Sequence, residues 1–189
     1  MGISHAQSFR GGFFGGFTAS QIDGDKLDGY NRPNLKVGLL TELKKRRRKP
    51  STFGFELLYQ GKGSSTWIKK GGVGPDRKVR LHYAELLPYY KYFFSKKTSI
   101  RGGVAFGYLL SADKIIEGEQ YDIADDVFNK VTFEGNIGLQ TQIGPKLFFQ
   151  VDLQYSLLSI ADVNSEDILF NKSGMYNNAV ALTLYTFFN

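Results

Sequence analysis

The stretch LFFQVDLQYSLL, Leu147 to Leu158, decides the fold. Leu147, Phe149, Val151, Leu153, Tyr155 and Leu157 share one parity, and Gln150, Asp152, Gln154 and Ser156 share the other. A repeat of two is the signature of a β-strand, because successive side chains leave opposite faces. The open question is which face meets water. A soluble barrel turns its apolar side inward, whereas a barrel in a bilayer turns it outward to lipid.

Composition narrows the choice. Mean hydropathy is −0.25, and no apolar run approaches the ~20 residues of a spanning helix, so a helical membrane protein is excluded. The 189 residues include 22 Gly, 16 Phe and 11 Tyr but no Cys, which removes disulfides and thiolate metal sites. The formal charge is +6. Lys44, Lys45, Arg46, Arg47, Arg48 and Lys49 form one run that equals this excess and ends at Pro50. Nucleic-acid binders spread their cations over a face, so nucleic acid is not an expected partner. The run reads as a solvated turn, or as a surface for anionic lipid or a protein. At the start, Ser4 and Ala6 occupy the −3 and −1 places of a small-x-small cleavage site before Gln7. Residues 1–6 are therefore expected to be the tail of a signal peptide, and residues 7–189 one barrel domain.

Eight segments alternate, approximately 9–22, 34–43, 52–63, 78–94, 98–111, 130–143, 146–160 and 175–188. Short turns follow the second, fourth and sixth (KKRRRKPS, SKK, GP); long polar loops follow the others. An up-and-down membrane barrel with both termini in the periplasm has this rhythm.

The polar parity settles the face. It reads Gly54, Glu56, Leu58, Gln60 in the third segment and Arg101, Gly103, Ala105, Gly107, Leu109 in the fifth. The sixth gives Glu134, Asn136, Gly138, Gln140, Gln142. Glycine weakens a solvated strand surface, but small residues between single charges suit the cramped lumen of eight strands. The apolar parity is almost free of charge over the strand centres, as lipid requires when a mid-bilayer cation costs about 2–4 kcal/mol. Tyr30, Tyr59, Trp67, Tyr92, Phe93, Phe94, Tyr108, Phe128, Tyr155 and Tyr176 lie toward segment ends, where interfacial girdles would place them. The expected fold is all-β: an eight-stranded antiparallel up-and-down transmembrane β-barrel, apolar face outward, with a filled polar lumen.

Seven charges then fall inside: Glu42, Glu56, Glu85, Lys91, Arg101, Glu134 and Asp152. Counting from the short turns puts Glu42, Glu56, Lys91 and Arg101 low, with Arg101 and Lys91 facing Glu56 and Glu42. Glu85, Glu134 and Asp152 should lie higher. Such charges persist in a lumen when paired, and a plug is the expected role, against an ion path or proton-sensitive gate. In LHYAELLPYYKYFF, Pro88 cannot donate to a ladder and predicts a bulge or local distortion.

GGFFGGFTASQIDGD, LLTEL, GFELLYQGKGSS, LHYAELLPYYKYFF, RGGVAFGYLLSA and LTLYTFF together resemble the PorT-like outer-membrane β-barrel family of the Bacteroidota. That family carries a Pro two residues after the Glu of its Y-x-E-x-P stretch; here Leu87 stands there and Pro88 follows. The resemblance implies an eight-stranded outer-membrane barrel. Some relatives assist the type 9 secretion system and many have no assigned role.

Chemistry is sparse. His82 has lipid parity, and Ser64 and Ser65 fall at similar height by strand counting, so a rim-acting lipid hydrolase would need a serine hydroxyl on His82. Asp23, Asp25 and Asp28 fail a calcium loop because Leu27 takes the third ligand place. Asp113, Glu117, Glu119, Asp122, Asp125 and Asp126 read as a solvated acidic loop. Lys62, Lys69, Lys70, Arg77 and Lys78 flank Trp67 and offer cations to lipopolysaccharide phosphates. No cofactor is expected. The leading expectation is a non-enzymatic structural or interaction protein of the outer membrane, with lipid and envelope or secretion proteins as partners. The lipid hydrolase and a soluble ligand-binding barrel of lipocalin type are its rivals.

Overall fold

A computed structural model describes residues 9–25, 27, 30, 32–43, 50–66, 77–116, 119–123, 127–161 and 174–188. The strands are β1 (Phe9–Asp23), β2 (Arg32–Leu43), β3 (Ser51–Ser65), β4 (Arg77–Phe93), β5 (Thr98–Ile116), β6 (Glu119–Asp122), β7 (Val131–Gln142), β8 (Leu147–Ser156) and β9 (Tyr176–Phe187). All pairings between them are antiparallel, and β1 closes on β9 (Phe14 opposite Tyr185). Eight strands form the barrel; β6 is a short addition that pairs with the far end of β5. Closure leaves the eight barrel strands, among the described residues, without an open edge, which lipid would not tolerate.

The apolar parity points outward. Leu57 is 61% exposed and Leu153 56%, whereas Glu56 and Asp152, beside them in sequence, are fully buried. Phe149 and Val151 are half-buried on the outer side, and Gln150 is fully buried. A lipocalin-type soluble barrel would show the reverse, so that alternative falls. Among the expected girdle residues, Tyr30, Tyr92, Phe94, Tyr108 and Tyr155 are exposed, while Phe128 is buried. Trp67 lies outside the described residues.

Phe128 belongs to an apolar cap at the long-loop end. There Ile22, Val79, Leu81, Tyr83, Leu109 and Ile160 pack with Phe128 and Met175. The lumen body is filled by polar groups threaded through a second apolar cluster of Phe14, Leu40, Leu58, Leu87 and Phe187, and the long-loop end is closed by hydrophobic groups. β8 stops at Ser156 instead of reaching Ile160, because Ile160 turns into this cap.

Two irregularities shape the same end. Leu110 has no partner: Tyr83 pairs with Leu109 and His82 with Ser111. The β4–β5 register shifts at this bulge; at Pro88 there is the local distortion without a bulge, a lapse in pairing that resumes in unchanged register at Tyr89–Gly103. One inserted residue flips the phase, so Ala112 is buried like Leu109. The second irregularity is in β3, which tucks beneath β1 and β2. From Gly61 to Ser65 every residue is buried. Ser20 Oγ donates to the Gly63 carbonyl at 2.9 Å, and Gly63 has φ +137°. A Cβ there would strike the Val79 carbonyl at 2.1 Å, so only glycine fits this close approach.

Candidate functional site

The lumen charges form three tiers, the lower two joined by a hydrogen bond. Nearest the short turns, β1 sets Arg10 opposite Glu42 of β2. Arg10 Nε donates to Glu42 Oε1 at 2.7 Å, Lys91 Nζ to Glu42 Oε2 at 2.8 Å, and Tyr89 Oη to the same oxygen at 3.0 Å. Lys91 also donates to Gln140 Oε1 at 2.9 Å. Tyr89 fits because its β3 neighbour is Gly54, where a Cβ would sit 2.5 Å from the ring.

Arg101 commands the middle tier. It forms an ion pair with Glu56 through Nη1 and donates from Nη2 to Asp152 Oδ1 and to Tyr185 Oη, both at 3.1 Å. Lys36 Nζ reaches Asp152 Oδ2 at 3.3 Å, and Gln150 Nε2 donates to Asp152 at 2.7 Å. The guanidinium lies 4.9 Å from the Tyr89 ring centre and 5.5 Å from that of Tyr185, adding cation–π attraction in a desolvated place. Register explains the meeting. Arg101 pairs with Gly138 and Gly138 with Asp152; a Cβ on Gly138 would lie 2.2 Å from Asp152 Oδ1. The missing side chain is the space through which Arg101 crosses. Gln140 Nε2 donates to Gln150 Oε1 at 2.8 Å and joins this tier to the one below.

In the upper tier Lys62 forms ion pairs with both Glu85 and Glu134. Asn177 Nδ2 donates to Glu134 Oε1 at 3.2 Å, and the ammonium stands 5.2 Å from the Tyr83 ring centre under the apolar cap.

All seven charges assigned to the lumen face it, but their heights differ from a simple count along the strands. Asp152 shares a tier with Arg101 and Glu56, not with Glu85 and Glu134. Strands in a barrel tilt and stagger, so equal counts from the turns are not equal heights. Three cations were missing from the sequence set: Arg10, Lys36 and Lys62. Their signal was charge balance, since five carboxylates against Lys91 and Arg101 alone would leave an uncompensated charge of −3 in low dielectric. With them the described column holds five of each sign.

The other sequence candidates disperse. Lys62 is in the lumen and not among the loop cations; Lys69 and Lys70 lie outside the described residues, as does the whole basic run from Lys44 to Lys49. His82 meets Tyr59, not serine: Tyr59 Oη and His82 Nδ1 are 2.6 Å apart and their rings stack. Ser64 turns inward to Asp25. It pairs with Val79, three residues beyond His82, or roughly 10 Å along the strand. Among the described residues no serine hydroxyl bonds His82, and no group of His, Asp and Glu is placed to hold a metal ion. Asp23 accepts from Gln21 and Asn178, and Asp25 from the Leu27 amide. Residues 1–8, with the expected cleavage site, are outside the described set.

Known structures share this architecture. Ail, the attachment invasion locus protein of Yersinia pestis, solved with the heparin analogue sucrose octasulfate, is 14% identical with a TM-score of 0.53; the match covers 96% of this chain and 99% of Ail. Neisserial surface protein A is 9% identical with a TM-score of 0.56, covering 95% and 97%. At these identities the likeness shows the fold. No curated protein matches the chain. A family model described as "Outer membrane protein beta-barrel domain" matches residues 5–162. A closed barrel with lipid-facing outer residues and a match across most of its length make the chain a member of that outer-membrane β-barrel family.

Proposed function

We propose that the protein is a non-enzymatic, non-conducting barrel of the bacterial outer membrane that serves as a structural and interaction component. The single observation that carries this is the charge-balanced column: Arg101, Lys91, Lys62 and their carboxylates are buried and spent on one another. An ion path would need unspent polar groups along an open bore. The short turns, the start of β1 and the end of β9 share one end of the barrel, which supports a periplasmic place for that end and an external place for the long loops. Recognition then falls to those loops, facing lipid and lipopolysaccharide, and to the basic turn from Lys44 to Lys49, facing envelope partners.

The segments GFELLYQGKGSS and LHYAELLPYYKYFF support kinship with PorT-like barrels. An accessory part in secretion or envelope assembly is consistent with a basic periplasmic turn. The purified barrel in a planar bilayer should show no stepwise conductance, and photocrosslinkers at Lys45 or Arg47 should capture periplasmic protein in intact cells. Discrete channel openings would overturn the plug. The lipid-hydrolase alternative is weakened by the Tyr59–His82 bond; unchanged lipid turnover in His82→Ala would remove it.

A further inference from the structure

The inward tuck of β3 has a consequence on the outer surface. Because β3 sinks at Gly61, β2 lies over it: a Cβ on Gly61 would be 3.0 Å from that of Asn34. Arg32, at the start of β2, is thereby carried across β3 to the outside of β4. Its Nη1 donates to the Val79 carbonyl at 3.2 Å and its Nε to Asn34 Oδ1 at 2.9 Å, so the guanidinium is held in a fixed plane. Beside it on β4 stand Arg80 and His82, close enough for the charges of Arg32, Arg80 and Asp113 to act on one another and on the imidazole. Both arginines are half-buried. Arg80 Nε is shielded from solvent and has no hydrogen-bond partner. Among the described residues neither guanidinium forms an ion pair, although Asp113 is Arg80's register partner on β5. The Tyr59 hydroxyl holds His82 through Nδ1 at 2.6 Å, which fixes the ring on this surface.

Two guanidiniums beside the single carboxylate of Asp113, with no ion pair formed to it, leave an excess of positive charge on this surface. Arginine forks match phosphate oxygens with two parallel bonds. The position is on the outer wall at the long-loop end, where headgroups meet the barrel. We infer that Arg32 and Arg80, beside His82, form a binding site for the phosphate of a lipid headgroup in the external leaflet. This rests on the barrel orientation proposed above.

The test is native mass spectrometry of the detergent-folded full chain titrated with three probes: bis-phosphorylated lipid A, the same lipid stripped of phosphate, and inorganic phosphate. The wild type should hold the phosphorylated lipid at least tenfold more tightly than the stripped one. Arg32→Gln with Arg80→Gln should lose that preference, and Lys97→Gln with Lys146→Gln, an equal charge loss in the short turns, should retain it. Equal affinity for the two lipids overturns the site without any variant having to fold. So does inorganic phosphate binding as tightly as the lipid, or a preference that survives the double arginine change. Surface labelling of the long loops in intact cells reports separately on orientation: loops found in the periplasm would refute the proposed topology, while the phosphate preference in detergent would still stand or fall alone.

Discussion

The two ends of the lumen are filled by different mixtures. Toward the short turns, ion pairs around Arg101 and Glu42 thread through apolar side chains such as Phe14, Leu40 and Phe187; toward the long loops the cap of Leu81, Leu109, Ile160 and their neighbours is apolar. Hydrophobic packing is non-directional and tolerates irregular backbone. Ion pairs have demands of geometry: each partner must arrive at one height and angle, or a charge is left buried alone. The lower and middle ion pairs sit on regular ladder, Lys62 and its two carboxylates lie at the tucked end of β3, and the bulge at Leu110 and the β5–β6 hairpin lie at the apolar end. The barrel is specified chiefly where its strands are regular and sealed where they are not.

This contrast can be broken at its polar side first. Arg101→Ala leaves Glu56 and Asp152 facing each other's charge without their shared cation. It should cost about 3–5 kcal/mol, the usual penalty for removing one partner of a buried pair, read from urea unfolding in detergent or lipid vesicles. Replacing both members of one pair, as Arg101→Met with Glu56→Gln, keeps Asp152 on Lys36 and should recover most of that loss. If the double variant is as damaged as the single one, the column's geometry rather than its charge is what matters.

The cap should respond more softly. Leu81→Ala opens a cavity in a fully buried place, and about 2–3 kcal/mol is expected, the lower part of the range for such changes, because neighbouring chain can collapse into the gap. A loss equal to that of Arg101→Ala would erase the distinction between the ends. The smallest effect should come from Arg10→Gln. Its side chain is 25% exposed and Glu42 keeps Lys91 and Tyr89, so about 1 kcal/mol is expected. The same unfolding assay tests all three.

Alternation alone sorts lumen from lipid along nearly every strand, because the period of two is a property of the backbone and survives any tilt. It places Glu56 inside and Leu57 outside with no further knowledge. Height is a different quantity. It depends on stagger between strands, set by the whole closed cylinder, and this is why Asp152 meets Arg101 across Gly138 although a count along β8 puts it elsewhere. Lys36 lies between Leu35 and Val37 on polar parity and was open to discovery from the demand for neutrality. The cap was less legible. Ile160 and Phe128 sit just beyond regular strands, where no period remains to say which way a side chain turns. The site at Arg32 and Arg80 was hidden for the same reason: it arises from β2 crossing over β3, and both parities mislead at a tuck.

The central claim is the outward direction of the apolar parity, and the absence of cysteine makes it directly measurable. Single cysteines placed one at a time from Gln150 to Tyr155 in β8, and from Phe55 to Tyr59 in β3, can carry nitroxide labels in the barrel reconstituted into vesicles. Labels at Val151, Leu153, Phe55 and Leu57 should collide freely with dissolved oxygen and report lipid, while those at Gln150, Asp152, Glu56 and Leu58 should be immobile and shielded. An alternation of opposite phase, with the labels at Leu153 and Leu57 shielded and those at Asp152 and Glu56 free, would contradict the account.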